Sequence, residues 1–164
     1  MNEKEITKIL KAHAKWLEND AGGVCANFRG ANLCYANLSG ADLSGADLAH
    51  TQGVPPLSCP EEGTYIGFKK AGGYIIVLEI AEDAKRSSAT SRKCRASKAK
   101  VLRIENIDGT TAIINGVASD FDESFIYTVG ETISVNDFDE DRWCECAPGI
   151  HHFITRQEAV SYTL

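Results

Sequence analysis

The chain has 164 residues, of which 43% are hydrophobic and 24% charged, and its formal net charge is −6. This composition is typical of a globular chain that can bury a core. The negative charge argues against bulk attraction to nucleic acid or an anionic membrane, and no apolar run approaches the roughly 20 residues of a membrane-spanning helix. The first residues lack the apolar stretch of a secretion signal, so a cytoplasmic location and six reduced cysteines are expected.

The N-terminal segment from Asn2 to Asn19 predicts an amphipathic helix. Its apolar residues recur near the helical period, which places them along one face. The Asn2 side chain can cap the first turn, with Glu5 as its partner in a capping box. Two glycines at 22–23 are expected to end the helix.

Residues 26–50 consist of five consecutive five-residue units, each starting with Ala and followed by Asn or Asp. Neither the helical period of about 3.6 residues nor the strand period of about 2 explains this repeat. The pattern resembles the pentapeptide-repeat family, which implies a short right-handed square β-helix with one unit per side. The third residue of each unit would then point inward: Phe28, Leu33, Leu38, Leu43 and Leu48.

The repeat segment is too short to be stable alone. Its five units make about one and a quarter coils, and solenoid repeats need stacked neighbours. We expect the N-terminal helix to cover one end and the rest of the chain, or a second copy in a homo-oligomer, to cover the other.

The chain is predicted to divide into residues 1–50 (helix plus repeats), 51–63 (linker) and 64–164 (a mainly β domain). Three prolines mark the linker. The last domain ends in a short helix opened by a capping box between Thr155 and Glu158, so the fold class is α+β. The predicted strands are 65–68, 74–80, 101–106, 111–117, 125–129, 132–135 and 150–154, with 101–106 and 111–117 forming a hairpin.

Three segments of the second half also carry a family resemblance: 85–101, 127–131 and 149–159. They resemble a domain of unknown function that follows short pentapeptide repeats in many bacteriophage and some bacterial proteins. The resemblance implies a phage setting, in the cytoplasm of an infected bacterial host, and supplies no reaction. It also implies that His152, at a position more often occupied by Phe in that family, is less functional than His151.

A basic segment from Lys85 to Lys100 is the most informative feature after the repeats. It holds seven of the 17 Lys and Arg residues, no acidic residue and several hydroxyls. Guanidinium, ammonium and hydroxyl donors match phosphate oxygens, so we predict a loop that holds a compact anion. The alternative is a solvated loop whose charges balance acidic neighbours. The predicted binding residues in this segment are Lys85, Arg86, Ser87, Ser88, Thr90, Arg92, Lys93, Arg95 and Lys98.

Two further residues join this predicted site from the end of the chain. His151 precedes the predicted last helix and Arg156 lies in its first turn, where a helix N-terminus favours anions. The alternative for His151 is a structural histidine bonded to the backbone.

A metal site is a weaker alternative. Cys144 and Cys146, with His151 and either Cys59 or Cys94, have metal-ligating side chains, but the Cys-x-Cys spacing is tighter than zinc sites normally use. Buried or incidental thiols explain them better, and we predict neither a metal nor another cofactor.

Three functions are compatible with these features. The favoured one is a non-enzymatic protein that captures a small, nucleotide-like anion and sequesters a host defence signal; long nucleic acid is disfavoured because the remaining surface is acidic. The second is a protein-binding or inhibitory scaffold. The third is an ADP-ribosyltransferase-like enzyme, loosely suggested by Gly149–Phe153 followed by a helix with Glu158 and Tyr162. No Ser-His-Asp order, P-loop or dinucleotide fingerprint favours catalysis.

Overall fold

The computed structural model describes residues 1–144 and 146–163 and divides the chain into two compact units. The first unit comprises Met1–Leu57, Ser88–Ser91 and Asp141–Cys146, and the second comprises Ser58–Ser87, Arg92–Glu140 and Ala147–Leu164. Two short segments therefore belong to the first unit although they lie far along the chain. Within the described residues, no helix combines the length and apolarity that crossing a membrane requires.

The first unit begins with helix α1, Glu3–Leu17. The Asn2 side chain accepts a hydrogen bond from the Glu5 N–H at 3.0 Å, and the Glu5 carboxylate accepts one from the Asn2 N–H at 2.9 Å. This reciprocal capping box satisfies two donors that a helix start otherwise leaves unpaired. Helix α1 buries Ile6 and His13 on one face, which confirms the predicted N-terminal helix.

Four of the five third residues of the repeat units are buried, as predicted: Phe28, Leu33, Leu38 and Leu43. Leu48 of the last unit is only partly buried. Parallel bridges pair Asn27 with Asp47 and Asn32 with Gln52, which are positions four repeat units apart. This is the spacing expected when four sides complete one coil, so the repeats suggest a β-helix. Across the described residues these two bridges do not amount to a closed solenoid, and the square section and right hand stay predictions.

Each repeat unit turns its corner in the same way. The Asn or Asp side chain at its second position accepts a hydrogen bond from the N–H two residues later in all five units. The fifth residue then adopts the left-handed conformation, which glycine adopts without steric cost. The φ angles are 66° at Gly30, 67° at Tyr35, 72° at Gly40, 70° at Gly45 and 59° at His50.

The second unit is mainly sheet. Its strands and last helix are β1 (Tyr65–Ala71), β2 (Tyr74–Ile80), β3 (Arg86–Ser88), β4 (Cys94–Ala96), β5 (Lys98–Glu105), β6 (Gly116–Ala118), β7 (Ile126–Thr128), β8 (Thr132–Ser134), β9 (Ile150–His152) and α2 (Arg156–Ser161). A four-stranded sheet has the order β1-β2-β5-β8, a three-stranded sheet the order β3-β4-β9, and β6 pairs with β7. The core lies on β2, whose residues Ile75–Leu78 are buried.

The predicted hairpin of 101–106 with 111–117 is wrong in its second strand. Thr111 makes a single bridge to Glu105, after which the chain departs, and β6 pairs with β7 instead. This pairing places Val117 opposite Tyr127, and both are buried, whereas Ile113 is fully exposed. Burial of Val117 and Tyr127 therefore prevails over the Asp108-Gly109 turn signal that predicted the hairpin.

The basic segment is not the loop that its composition predicts. It contains β3, β4 and the start of β5, and all three residues of β4 are buried. Charged residues are uncommon inside sheets, so this outcome requires that the charges find partners, which they do.

Candidate functional site

Most of the predicted binding residues support the fold. The Arg86 guanidinium lies 5.2 Å from the Tyr65 ring centroid and spans the end of the linker and the end of β2. A guanidinium presents five N–H groups in a fixed fork, so it can bind several carbonyls at once better than a single ammonium can. The guanidinium donates to the main-chain carbonyls of Pro60, Gly63, Ala81 and Glu82.

Arg95 lies inside the second unit, with only 2% of its surface exposed. Its guanidinium donates to the carbonyls of Asp139 and Pro148 at 2.9 and 3.1 Å and lies 5.4 Å from the Phe138 ring centroid. A buried guanidinium must be hydrogen-bonded in this way to avoid a large desolvation cost. Arg95 therefore fixes the connection ahead of β9.

Three more basic residues form ion pairs with acidic neighbours. Lys85 pairs with Glu140, Arg92 Nε lies 2.7 Å from Glu158 Oε1, and Lys98 Nζ lies 2.5 Å from Asp83 Oδ2. These contacts match the alternative in which the charges of the segment balance acidic neighbours. Exposed pairs of this kind add little stability.

The remaining predicted residues lie apart from a common pocket. Ser87 and Ser88 are buried on β3, and the Thr90 hydroxyl donates to the Ala41 carbonyl at 2.8 Å. Arg156 Nε lies 2.8 Å from the buried Glu105 carboxylate. Its Nη2 also donates to the carbonyls of Asn106 and Ile107.

Lys93 and His151 are the two predicted residues that the structure brings together. They line a small depression in the second unit that is partly open to solvent. Lys69, Lys70, Phe121, Phe153 and Tyr162 complete the lining.

The edge of β1 positions this pocket. Phe68 and Phe153 exchange two main-chain hydrogen bonds of 2.8 Å, which hold the chain after β9 against β1. The next two residues of β1 are Lys69 and Lys70, which point to opposite faces of the strand. Lys69 lies on the face that carries the buried Ala71, and Lys70 on the face that meets α2.

Lys69 is the most unusual residue of the pocket. It is 8% exposed, and among residues 1–144 and 146–163 its ammonium has no hydrogen-bond or ion-pair partner, although Nζ lies 5.7 Å from the Tyr127 ring centroid. Burial lowers the pKa of Lys69 to about 8; the nearby Lys93 adds to the lowering and Asp120 opposes it. The Asp120 carboxylate is exposed and accepts a hydrogen bond from the Gly72 N–H at 2.8 Å.

Lys70 is held by the last turn of α2. Its ammonium donates to the carbonyls of Val160 and Tyr162 at 3.2 and 3.0 Å. Carbonyls at a helix C-terminus favour a cation, so these two bonds hold Lys70 at the pocket wall.

The adjacent residues His151 and His152 have different hydrogen-bond partners. His151 Nε2 donates to the Ala147 carbonyl at 3.0 Å, and burial, helped by Lys93 and Lys69, lowers its pKa to about 4. His151 is therefore bonded to the backbone, as the alternative anticipated, and is neutral at pH 7 with Nδ1 as an acceptor. His152 is fully buried: Nδ1 donates to the Ile150 carbonyl and Nε2 accepts from the Tyr65 hydroxyl, both at 3.0 Å.

The predicted alternatives can be located as well. Cys59 and Cys94 are both buried, and the hydrogen bond between their thiols lowers the pKa of Cys59 to about 7. With residues 145 and 164 set aside, no group of three or more His, Cys, Asp or Glu side chains is arranged to hold a metal. Glu158, the carboxylate of the enzyme hypothesis, accepts from the Thr155 N–H and pairs with Arg92.

Sequence reasoning missed Lys69 and Lys70. They follow the predicted strand 65–68 and precede the glycine turn, where paired lysines indicate an exposed strand end. The long-range bridge of Phe153 to Phe68 holds the chain after β9 beside them. The available signal was an apolar strand face interrupted by a charge at Lys69.

Two family descriptions match the sequence. "Family of unknown function (DUF5758)" matches residues 55–159, and "Pentapeptide repeats (8 copies)" matches residues 24–52. Neither a curated protein nor a solved structure shows significant similarity to the chain. The first match covers more than half of the sequence, and the second confirms the predicted repeats. The chain therefore belongs to the DUF5758 family of unknown function and carries pentapeptide repeats ahead of that domain.

Proposed function

We propose that this protein binds a small anionic ligand in the pocket formed by Lys69, Lys70, Lys93 and His151. The observation that supports this most strongly is the largely buried Lys69 side chain, whose ammonium has no hydrogen-bond or ion-pair partner among the described residues. Burying a cation without an anionic partner costs free energy. A bound anion supplies that partner, and the cost is then recovered on binding.

The electrostatics of the pocket favour an anion. Three ammonium groups line it, and His151 beside them is neutral at pH 7. The exposed Asp120 carboxylate opposes this positive charge around Lys69. In a chain of net charge −6 this is a local concentration of positive charge, which attracts and orients a compact anion without attracting long nucleic acid.

Aromatic side chains give the pocket an apolar wall. The rings of Phe153 and Tyr162 lie 5.2 Å apart, and Phe121 at the opening is largely exposed. Aromatic faces pack against planar heterocycles. A ligand with a charged group and a flat ring, such as a nucleotide, uses both features.

Calorimetry at low ionic strength tests the proposal. Inorganic phosphate, mononucleotides and cyclic nucleotides would be titrated into the full chain and into Lys69→Met, which keeps the side-chain length and removes the charge. We expect Lys69→Met to weaken binding at least about tenfold, since charge-assisted hydrogen bonds contribute about 1.5–3 kcal/mol, and to raise the unfolding temperature because a buried charge is removed.

The matched control is Lys100→Gln. Lys100 is exposed and belongs to the basic segment, but does not line the pocket. Unchanged affinity in Lys100→Gln would show that binding depends on the pocket rather than on the net charge of the protein. The absence of binding to every probe, or equal losses in both variants, would reject the proposal.

The biological setting is a further part of the proposal. We propose a non-enzymatic phage protein, acting in the cytoplasm of an infected bacterial host, that sequesters a nucleotide-like defence signal as a homo-oligomer. The phage resemblance and the short repeat segment, which offers a surface for self-association, support this setting. Native mass determination tests the oligomer, and a monomer at all concentrations would reject that part.

A further inference from the structure

The surroundings of Lys69 also favour amine chemistry. An ammonium in an apolar pocket beside a second cation loses its proton more readily than an exposed one. Lys69 meets both conditions, since it is 92% buried and lies beside Lys93. A measurable fraction of the molecules therefore carries Lys69 as a neutral amine near neutral pH.

The geometry leaves that amine accessible. Within the described residues no acceptor holds Lys69 Nζ, and its pocket is partly open to solvent. Lys70, in contrast, is bound to two carbonyls of α2. A small molecule entering the pocket thus meets one reactive nitrogen and two cations, of Lys70 and Lys93, around it.

We propose that Lys69 captures the carbonyl group of a small anionic aldehyde or ketone as an imine, while Lys70 and Lys93 attract its anionic group. The placement of the anionic group rests on the proposed function. The new element is a reversible covalent bond, which lengthens the residence of a ligand whose charge alone would bind it weakly.

The step balances without an oxidant or reductant. The lone pair of the neutral Lys69 nitrogen attacks the carbonyl carbon, and the electrons of the C=O double bond move to oxygen, which gains a proton. The nitrogen loses its two protons in turn, and the oxygen takes up a second proton and departs as water while the C=N bond forms. The sum is amine plus carbonyl giving imine plus water, and hydrolysis reverses it.

Reductive trapping identifies the reacting lysine. The full chain at pH 7 is exposed to limiting glyoxylate and sodium cyanoborohydride, and the modified lysines are located by peptide mass spectrometry. The exposed lysines Lys4, Lys11 and Lys100 serve as internal controls. We expect Lys69 to react about tenfold faster than they do, since its larger neutral fraction outweighs its lower exposure. Equal or slower reaction at Lys69 would overturn the inference.

Two further experiments distinguish a failure of the imine from a failure of the proposed function. Lys69→Arg keeps a cation but cannot form an imine, so it should retain phosphate binding and lose glyoxylate trapping at position 69. If the unmodified chain binds phosphate but Lys69 is not trapped selectively, the imine is rejected while the proposed function stands.

Acetaldehyde, which is neutral, should label Lys69 more slowly than glyoxylate, and excess phosphate should protect Lys69 from labelling. Equal labelling by the two aldehydes without protection would overturn the role of the anionic group.

Discussion

The repeat segment at 26–50 and the basic segment at 85–100 differ in how their sequences encode structure. In the repeats, each position has the same role in every unit, so Phe28 and Leu43 are buried for the same reason. In the basic segment, neighbouring cations have unrelated roles: Arg86 binds carbonyls, Lys98 pairs with Asp83, and Lys93 lines a pocket. Periodicity specifies local environments, whereas an isolated charge is defined by partners far along the chain.

The largest expected effect tests the periodic region. Phe28→Ala removes a fully buried ring from the packed interior of the repeats. We expect the free energy of unfolding to fall by about 3–5 kcal/mol, measured by denaturant titration. Leu48→Ala, at the equivalent but only partly buried position of the last unit, should cost less. Equal costs would show that the periodic position, and not its burial, sets the energy.

A second prediction tests the basic segment. Arg86→Lys retains the charge but cannot reach four carbonyls at once. We expect a loss of about 2–4 kcal/mol, because several carbonyls, two of them partly buried, lose a charged donor. The control is Lys85→Gln, whose exposed pair with Glu140 should contribute within about 0.5 kcal/mol. Similar losses in both variants would contradict the structural distinction between these adjacent residues.

A third prediction concerns pH. Burial lowers the pKa of His152 from its usual 6.5 to about 4, so the unfolded chain binds more protons between these values. Stability is therefore complete above about pH 6.5 and falls as pH decreases toward 4, by on the order of 2–3 kcal/mol for this residue. His151 adds a loss of the same sign, since its pKa is also about 4.

The control for this pH dependence is His152→Phe. It removes the titrating group and should flatten, but not abolish, the decline measured by thermal unfolding between pH 6.5 and 4.5. His50→Gln, at an exposed corner of the repeats, should leave the decline unchanged. An unmodified chain with constant stability over this interval would disprove the assignment of neutral, buried histidines.

These contrasts explain how far the sequence predicts the molecule. Capping boxes at Asn2 and Thr155 involve residues three apart, so both helices are predictable. Whether Lys69 is enclosed depends on the contact of Phe153 with Phe68, 85 residues apart in the chain, and no local pattern encodes that contact. The candidate site therefore emerges only in part from the sequence, through Lys93 and His151.

The smallest expected effect arises at one of the two repeat corners that are not glycine. Tyr35 occupies the corner position that is glycine in three of the five units, and its φ of 67° is strained for a side chain with a Cβ atom. Its ring is fully exposed, so its removal loses no burial. We expect Tyr35→Gly to stabilise the protein by up to about 1 kcal/mol, because relief of the left-handed strain exceeds the entropy that glycine adds to the unfolded chain. Gly40→Ala, at the equivalent corner with open space around it but a φ of 72°, should destabilise by a similar amount. If Tyr35→Gly were destabilising, that exposed ring would have a contact that the isolated chain does not provide.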